Sequence, residues 1–128
     1  MESYNPTQTP ADITLDTASA VLSIRYTGKV SAQGLARVHD AVLDTVAGRT
    51  VVGLVIDVSR SEAAYGPGDL LENMENCVAD MALERVAVIT QRDRAQLIML
   101  METVAFPHGV RVRATSDRHE AWRFASGV

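Results

Sequence analysis

The sequence predicts a single α/β domain with the element order ββαβαβαβα, in which helices cover a mixed, mostly parallel five-stranded sheet. Two segments, residues 51–58 (VVGLVIDV) and 86–90 (VAVIT), are almost continuously apolar and rich in β-branched residues. This composition is typical of strands that are buried on both faces. Segments with helical periodicity separate the later strands, which should therefore run parallel through right-handed crossovers and lie in roughly sequential order.

The first two strands are expected to form an antiparallel hairpin at one edge of the sheet. Apolar and polar residues alternate over residues 12–16 and again over 20–27, with a short polar connection between them. Ser31 is in position to cap the first helix, which should run to about Ala47 because apolar residues recur at every third or fourth position.

The second half of the chain continues the alternation of helices and strands. A loop over residues 59–69 leads into an amphipathic second helix. Thr90 and Asp93 resemble a capping box that opens a third helix, which should end before Pro107. Residues 110–114 alternate as an edge strand does, and a short final helix completes the domain.

Composition and charge limit the classes of partner. The 128 residues are 47% hydrophobic and carry a net charge of -4, which argues against nucleic acid and anionic membrane surfaces as partners. Residues 1–10 are polar and proline-containing, so we expect a flexible tail ahead of a domain at 11–128. The chain shows neither a secretory signal nor a membrane span, and its one cysteine, Cys77, fits a reducing compartment. A cytoplasmic location is the default expectation.

The most suggestive polar residue is Asp57, at the carboxyl end of a buried strand, where α/β sheets usually place ligands. Ser59, Ser61 and Tyr65 follow in the predicted loop and could join Asp57 in a polar pocket for a ligand or partner. The alternative is that the Asp57 carboxylate only accepts hydrogen bonds from backbone amides of the loop.

The element order resembles that of the STAS domains, and more closely that of the SpoIIAA-like (STAS/SEC14-like) proteins. The resemblance depends on VVGLVIDV followed by a loop and helix, on RVAVIT before the third helix, and on HEAWRF near the end, and it covers about residues 12–124. It implies a regulatory module that binds a protein partner. In the antagonist branch a phosphorylatable serine lies just before the second helix, but residues 64–67 are Ala-Tyr-Gly-Pro. Ser59 and Ser61, further upstream, are the remaining candidates for phosphorylation.

The residues that could ligate a metal or catalyse a reaction form no recognisable motif. His39, His108 and His119 lie on three different elements, so we expect no metal and no cofactor. His39 falls within the apolar arc of the first helix, which is typical of a partly buried, hydrogen-bonded histidine. No base can be paired with a nucleophile from the sequence, which favours a non-enzymatic function without deciding the question.

The third helix carries apolar residues on two sides. The expected core stripe consists of Leu97, Ile98, Met101 and Val104. Ala95, Met99 and Phe106 lie on the opposite side, which predicts a covering surface such as a second copy of the chain in a homodimer, a partner protein or an apolar ligand. The alternative is that Met99 is a single tolerated exposed residue and that Phe106 turns inward.

The sequence therefore favours two functions over a third. The first is a non-catalytic, STAS-like regulatory or protein-interaction module. The second is a carrier or sensor of a small apolar ligand, implied by the lipid-binding relatives of the fold and by methionines that could line an adaptable pocket. These methionines are Met74, Met81, Met99 and Met101. An enzyme that uses Asp57 is the third.

Overall fold

A computed structural model describes residues 10–91 and 95–127. The elements in chain order are β1 (Ala11–Asp16), β2 (Val21–Ser31), α1 (Ala32–Val46), β3 (Gly53–Ala64), α2 (Pro67–Asp80), β4 (Arg85–Ile89), α3 (Ala95–Ala105), a 3-10 turn (Phe106–His108), β5 (Arg111–Thr115) and α4 (Arg118–Ser126). The predicted element order is confirmed.

The five strands form one sheet in the order β1-β2-β3-β4-β5. β1 pairs with β2 in antiparallel orientation, and the remaining neighbours pair in parallel. The sequential order and the antiparallel edge strand are as the sequence predicts. The proposed tail falls outside the described residues except for Pro10, whose carbonyl oxygen accepts a hydrogen bond from the Thr27 amide at 3.0 Å. Asp93 of the predicted capping box also lies outside the described residues.

Helices cover the two faces of the sheet unequally. On one face α1, α2 and α3 pack on the larger core, in which Leu22, Leu54 and Val86 are completely buried. Successive strand residues point to opposite faces, so Val21, Val55 and Ala87 contact α4 on the other side. The buried contacts of α4 are the small side chains of Ala121 and Ala125, which let the helix approach the sheet closely.

The sequence predicts a loop at residues 59–69, and this prediction is wrong for residues 59–64. There β3 continues to Ala64 and pairs with an extension of β2 that continues to Ser31. Beyond a register shift these extensions pair in parallel, with Thr27 opposite Arg60. Between the preceding pair and this one, β2 contributes one residue and β3 contributes two, which defines a β-bulge. A bulge breaks the alternation of apolar and polar residues, so the strand beyond it resembles a loop in the sequence.

The cap of α1 is as predicted. Ser31 has extended backbone angles, and its hydroxyl oxygen accepts a hydrogen bond from the Gly34 amide at 3.0 Å. This bond satisfies one of the amide groups that the first turn of a helix leaves without a partner. The helix therefore begins directly at the end of β2, without an intervening loop.

Candidate functional site

Asp57 lies on the α4 side of β3 and is only 5% exposed. Its Oδ1 accepts two hydrogen bonds from Ser59, one from the backbone amide at 2.9 Å and one from the hydroxyl at 2.6 Å. Its Oδ2 accepts a hydrogen bond from Nη2 of Arg118 at 3.2 Å and lies 3.8 Å from Nε of Arg25. Both carboxylate oxygens are therefore engaged by donors from β2, β3 and α4.

This geometry matches the second interpretation of Asp57, in which the carboxylate accepts a hydrogen bond from the backbone just after it. The two guanidinium groups add a link that the sequence does not reveal, because Arg118 is distant in the chain. A base in catalysis must reach a substrate proton with an available lone pair. Asp57 instead ties α4 to the central strand.

Replacing Asp57 with alanine is expected to lower the free energy of unfolding by about 2 kcal/mol. The substitution leaves the Ser59 amide and the Arg118 guanidinium without their acceptor, although the exposure of Arg118 moderates the loss. Urea denaturation measures the change. Asp12→Ala, at an exposed position of β1, is the control and should change stability by less than about 0.5 kcal/mol. Equal effects at the two positions would show that the buried contacts of Asp57 contribute little.

Ser61 and Tyr65 lie on the opposite face of the sheet from Asp57. The Ser61 hydroxyl donates to the Val58 carbonyl oxygen at 3.1 Å, and Ser61 and Tyr65 both line a small pocket beneath α1, α2 and α3. The prediction that these residues join Asp57 in one polar pocket is therefore wrong. The β-bulge is the physical reason, since the extra residue in β3 turns Ser61 toward the helices.

The pocket beside Ser61 and Tyr65 is mainly apolar and holds only about 30 Å³. Tyr26 contributes to its wall, and burial, followed by the nearby Cys77 and Tyr65, raises the pKa of the Tyr26 phenol well above its usual value. The phenol therefore stays neutral at physiological pH. Sites for small molecules usually have volumes of about 300–1,000 Å³, so this pocket has room for little more than a water molecule.

A further polar cluster joins α1 to α2, and the sequence interpretation did not find it. Nε2 of His39 lies 2.8 Å from Oδ2 of Asp80, and Nδ1 lies 3.8 Å from Sγ of Cys77. The only signal in the sequence is that Cys77 and Asp80 are three residues apart on one helix, which places them on neighbouring positions of its surface. The sequence predicts a partly buried, hydrogen-bonded histidine, and His39 is hydrogen-bonded to Asp80 and more deeply buried than expected, at 9% exposure.

Thiol, imidazole and carboxylate follow one another here in the order found in cysteine hydrolases. A nucleophilic cysteine needs an accessible thiolate. Cys77 is only 5% exposed, and its burial, with a smaller effect from Asp80, raises the pKa of the thiol to about 12. The cluster therefore contains a neutral, enclosed thiol and serves as a polar contact between two helices.

The outer side of α3 is uncovered. Met99 is 66% exposed and Phe106 is 82% exposed, whereas Met101 and Ala105 on the inner side are buried. The alternative in which Phe106 turns inward is wrong. Phe106 instead begins the 3-10 turn at the end of the helix, and its side chain is exposed there.

Residues 10–91 and 95–127 contain neither a metal-binding cluster nor a membrane-spanning helix. Within these ranges no three His, Cys, Asp or Glu side chains lie close enough together to hold a metal ion. None of the helices there has the length and apolar character that crossing a membrane requires.

The structure is similar to that of an uncharacterized protein of the DUF3478 family from Shewanella loihica PV-4, which has a SpoIIAA-like fold. The two share 15% sequence identity with a TM-score of 0.65, and the similarity covers 98% of this chain and 99% of that chain. No protein-family model and no curated protein matches the sequence. The similarity extends over nearly the whole chain, so the fold predicted from the sequence is confirmed: this chain has a SpoIIAA-like, STAS-type α/β fold.

Proposed function

We propose that this protein is a non-catalytic STAS-like interaction module, and that α3 is the surface through which it binds a second copy of itself. The observation that carries the proposal is the high exposure of Met99 on α3 and of Phe106 in the turn that ends it. Among the described residues these two are the large hydrophobic side chains classed as exposed. Methionine and phenylalanine are enriched at the centres of protein interfaces, where both bury substantial apolar area.

The charge of α3 favours a second copy as its occupant. The eleven residues of Ala95–Ala105 include one charged residue, Glu102. In a dimer with twofold symmetry the same patch meets itself, so an apolar patch with few charges avoids like-charge repulsion. The chain as a whole carries a net charge of -4, so two identical copies repel each other least where they meet through a surface with few charges.

The non-catalytic part of the proposal is supported by the two groups that most resemble catalytic residues. Donors surround the carboxylate of Asp57. The thiol of Cys77 is buried and protonated. Neither group combines chemical availability with access to a substrate.

The alternative function, a carrier or sensor of an apolar ligand, receives less support. The pocket near Tyr65 is apolar enough for such a ligand, but its volume of about 30 Å³ is roughly a tenth of what small-molecule sites usually offer. A ligand would have to separate the helices that cover the sheet.

Native mass spectrometry and size-exclusion chromatography of the wild type and Met99→Glu test the proposal. We expect the wild type to be a dimer, and the variant to be at least about 100-fold weaker in self-association, because its glutamate would be buried against an identical charge. Ala36→Glu, at an exposed position of α1, introduces the same charge away from α3 and should leave the dimer intact. A monomeric wild type, or a dimeric Met99→Glu, would remove α3 as the self-association surface.

Ser59 and Ser61 remain the proposed positions of a regulatory phosphate. A phosphate on Ser59 would lie beside the Asp57 carboxylate and would compete with it for Arg118, so it would loosen the attachment of α4. Intact-mass spectrometry of protein purified from its own host, followed by peptide mapping, tests this proposal. An unmodified protein would count against phosphorylation and would leave the α3 proposal unaffected.

A further inference from the structure

Four arginine side chains surround one groove on the α4 side of the sheet. The groove has a volume of about 440 Å³, which is within the usual range for small-molecule sites. Its principal lining residues are Arg85, Arg111, Arg113, Arg123, Glu120 and Phe124. It lies on the opposite face of the sheet from α3, so nothing in the following argument depends on the proposed dimer.

Strand register brings three of the arginines together. Arg85 and Arg111 are the first residues of β4 and β5 and are direct partners in the parallel ladder. Arg113 follows two residues after Arg111 and therefore points to the same face of the sheet. The last turns of α4 add Arg123 from above.

These positive charges are not balanced within the described part of the chain. There, Arg111, Arg113 and Arg123 form no ion pair, and the one carboxylate near Arg85 is Oε1 of Glu84, 4.0 Å from Nη1. Glu120 lines the groove, but its Oε2 accepts a hydrogen bond from the Thr115 hydroxyl at 3.0 Å. The groove thus concentrates four positive charges against one negative lining residue in a chain whose net charge is -4.

The guanidinium group of Arg85 gives independent support. Its Nε is buried and has no hydrogen-bond partner among the described residues. A buried donor without an acceptor is unfavourable, and a bound ion is one of the explanations for such a group in a native structure. The carboxyl end of α4 lies beside this group at Gly127, but a helix end supplies only about half of one negative charge.

The ring of Phe124 holds two of the other guanidinium groups in place. Arg113 lies over the ring with its Cζ 4.5 Å from the centroid, and Arg111 lies 5.6 Å from it. A guanidinium that stacks on an aromatic face can still donate its N–H groups to an oxyanion. Ordering these side chains before binding lowers the entropic cost of fixing them around a ligand.

We propose that this groove binds a small, soluble molecule that carries a phosphate group. Guanidinium groups form paired, charge-assisted hydrogen bonds with phosphate oxygens. A phosphate ester, with nearly two negative charges at neutral pH, offsets the excess positive charge of the groove better than a single carboxylate does.

Isothermal titration calorimetry with inorganic pyrophosphate as the probe tests the proposal on the full chain. The wild type is expected to bind, and Arg113→Gln and Arg123→Gln are each expected to bind at least about tenfold more weakly, because each loses a charge-assisted hydrogen bond. Arg60→Gln removes the same charge from an exposed position of β3 outside the groove and should bind as the wild type does. Circular dichroism of each variant establishes that it is folded.

Four results would overturn the proposal. The first is an absence of pyrophosphate binding at millimolar concentration, and the second is an equal loss of binding in Arg60→Gln. The third is binding to phosphatidylcholine vesicles that contain phosphatidic acid without binding to pyrophosphate, since the phosphate would then belong to a membrane surface. Succinate serves as the carboxylate comparison, and binding of succinate as tight as that of pyrophosphate would also reject a phosphate ligand.

Discussion

Replacing Gly53 with alanine is expected to lower the free energy of unfolding by about 3 kcal/mol, although it adds a single methyl group. Gly53 begins β3 in the centre of the sheet, and the backbone of α4 packs directly against its α-carbon. A Cβ at this position would overlap the carbonyl oxygen of Ala125. Because the obstructing atom belongs to a helix backbone and not to a flexible side chain, α4 as a whole must move away.

Gly68→Ala is the matched control for this substitution. Gly68 lies in the first turn of α2, and a Cβ there would have open space around it. Alanine favours a helix over glycine by up to about 1 kcal/mol, so this variant should be as stable as the wild type or more stable. Chemical denaturation of both variants measures the difference. If Gly53→Ala is as stable as Gly68→Ala, the close packing of α4 on the sheet is not as described.

Gly53→Ala should also weaken pyrophosphate binding by the arginine groove. Displacement of α4 moves Arg123 and Phe124 away from the arginines of β4 and β5. A folded variant with reduced binding would show that the distance between α4 and the sheet sets the shape of the groove.

Between pH 9 and 10 the titration of Cys77 is expected to lower the free energy of unfolding by about 1 kcal/mol, approaching about 1.4 kcal/mol per pH unit as the unfolded thiol ionises fully. The buried thiol of Cys77 has a pKa of about 12 in the folded protein, compared with 9.0 without these surroundings. Above pH 9 the unfolded chain loses this proton while the folded chain keeps it. The unfolded state then binds fewer protons, so the contribution of Cys77 is complete below pH 9 and is lost as the pH rises toward 12.

Cys77→Ala isolates this effect. The variant will be less stable overall because a buried side chain is shortened, so the comparison concerns the slope of stability with pH. Between pH 9 and 10 the slope should be present in the wild type and largely absent in the variant. Above pH 10 the buried phenol of Tyr26, whose pKa is also raised, causes a second decrease in the free energy of unfolding of both proteins. Equal slopes below pH 10 would contradict a buried, protonated Cys77.

The reactivity of Cys77 toward a disulfide reagent provides a second measurement. Near pH 8 a pKa of about 12 leaves about a thousandfold less thiolate than the ordinary value of 9.0 does. The folded protein should therefore react at least a thousandfold more slowly than the protein in denaturant. Rapid reaction of the folded protein would reopen the possibility that Cys77 acts chemically with His39.

Much of the fold can be predicted from local patterns. The apolar run around Leu54 identifies a central strand, and the alternation around Ile24 identifies a neighbouring one, because burial on two faces or on one face determines which positions must be apolar. The capping of α1 by Ser31 is equally local, since donor and acceptor are three residues apart. The β-bulge after Asp57 could not be predicted from the sequence. It interrupts the alternation of apolar and polar residues along β3, and no glycine or proline marks its position.

The candidate sites depended on contacts that no local pattern contains. Asp57 meets Arg118 across 61 positions of the chain, and His39 meets Cys77 and Asp80 across 38 and 41 positions. In the sequence Arg85, Arg111, Arg113 and Arg123 are four ordinary surface charges. They meet only after β4 and β5 pair and α4 packs across them.

The sequence by itself determined the class of fold, the order of the strands, the apolar core and the uncovered side of α3, because these follow from hydrophobic periodicity along short segments. The tertiary structure alone decided which polar groups meet, that Cys77 is a protonated buried thiol, and that four arginines share one groove. The physical reason is that periodicity sets which face of an element is buried, whereas strand register and helix packing set which distant side chains lie within hydrogen-bonding distance of one another.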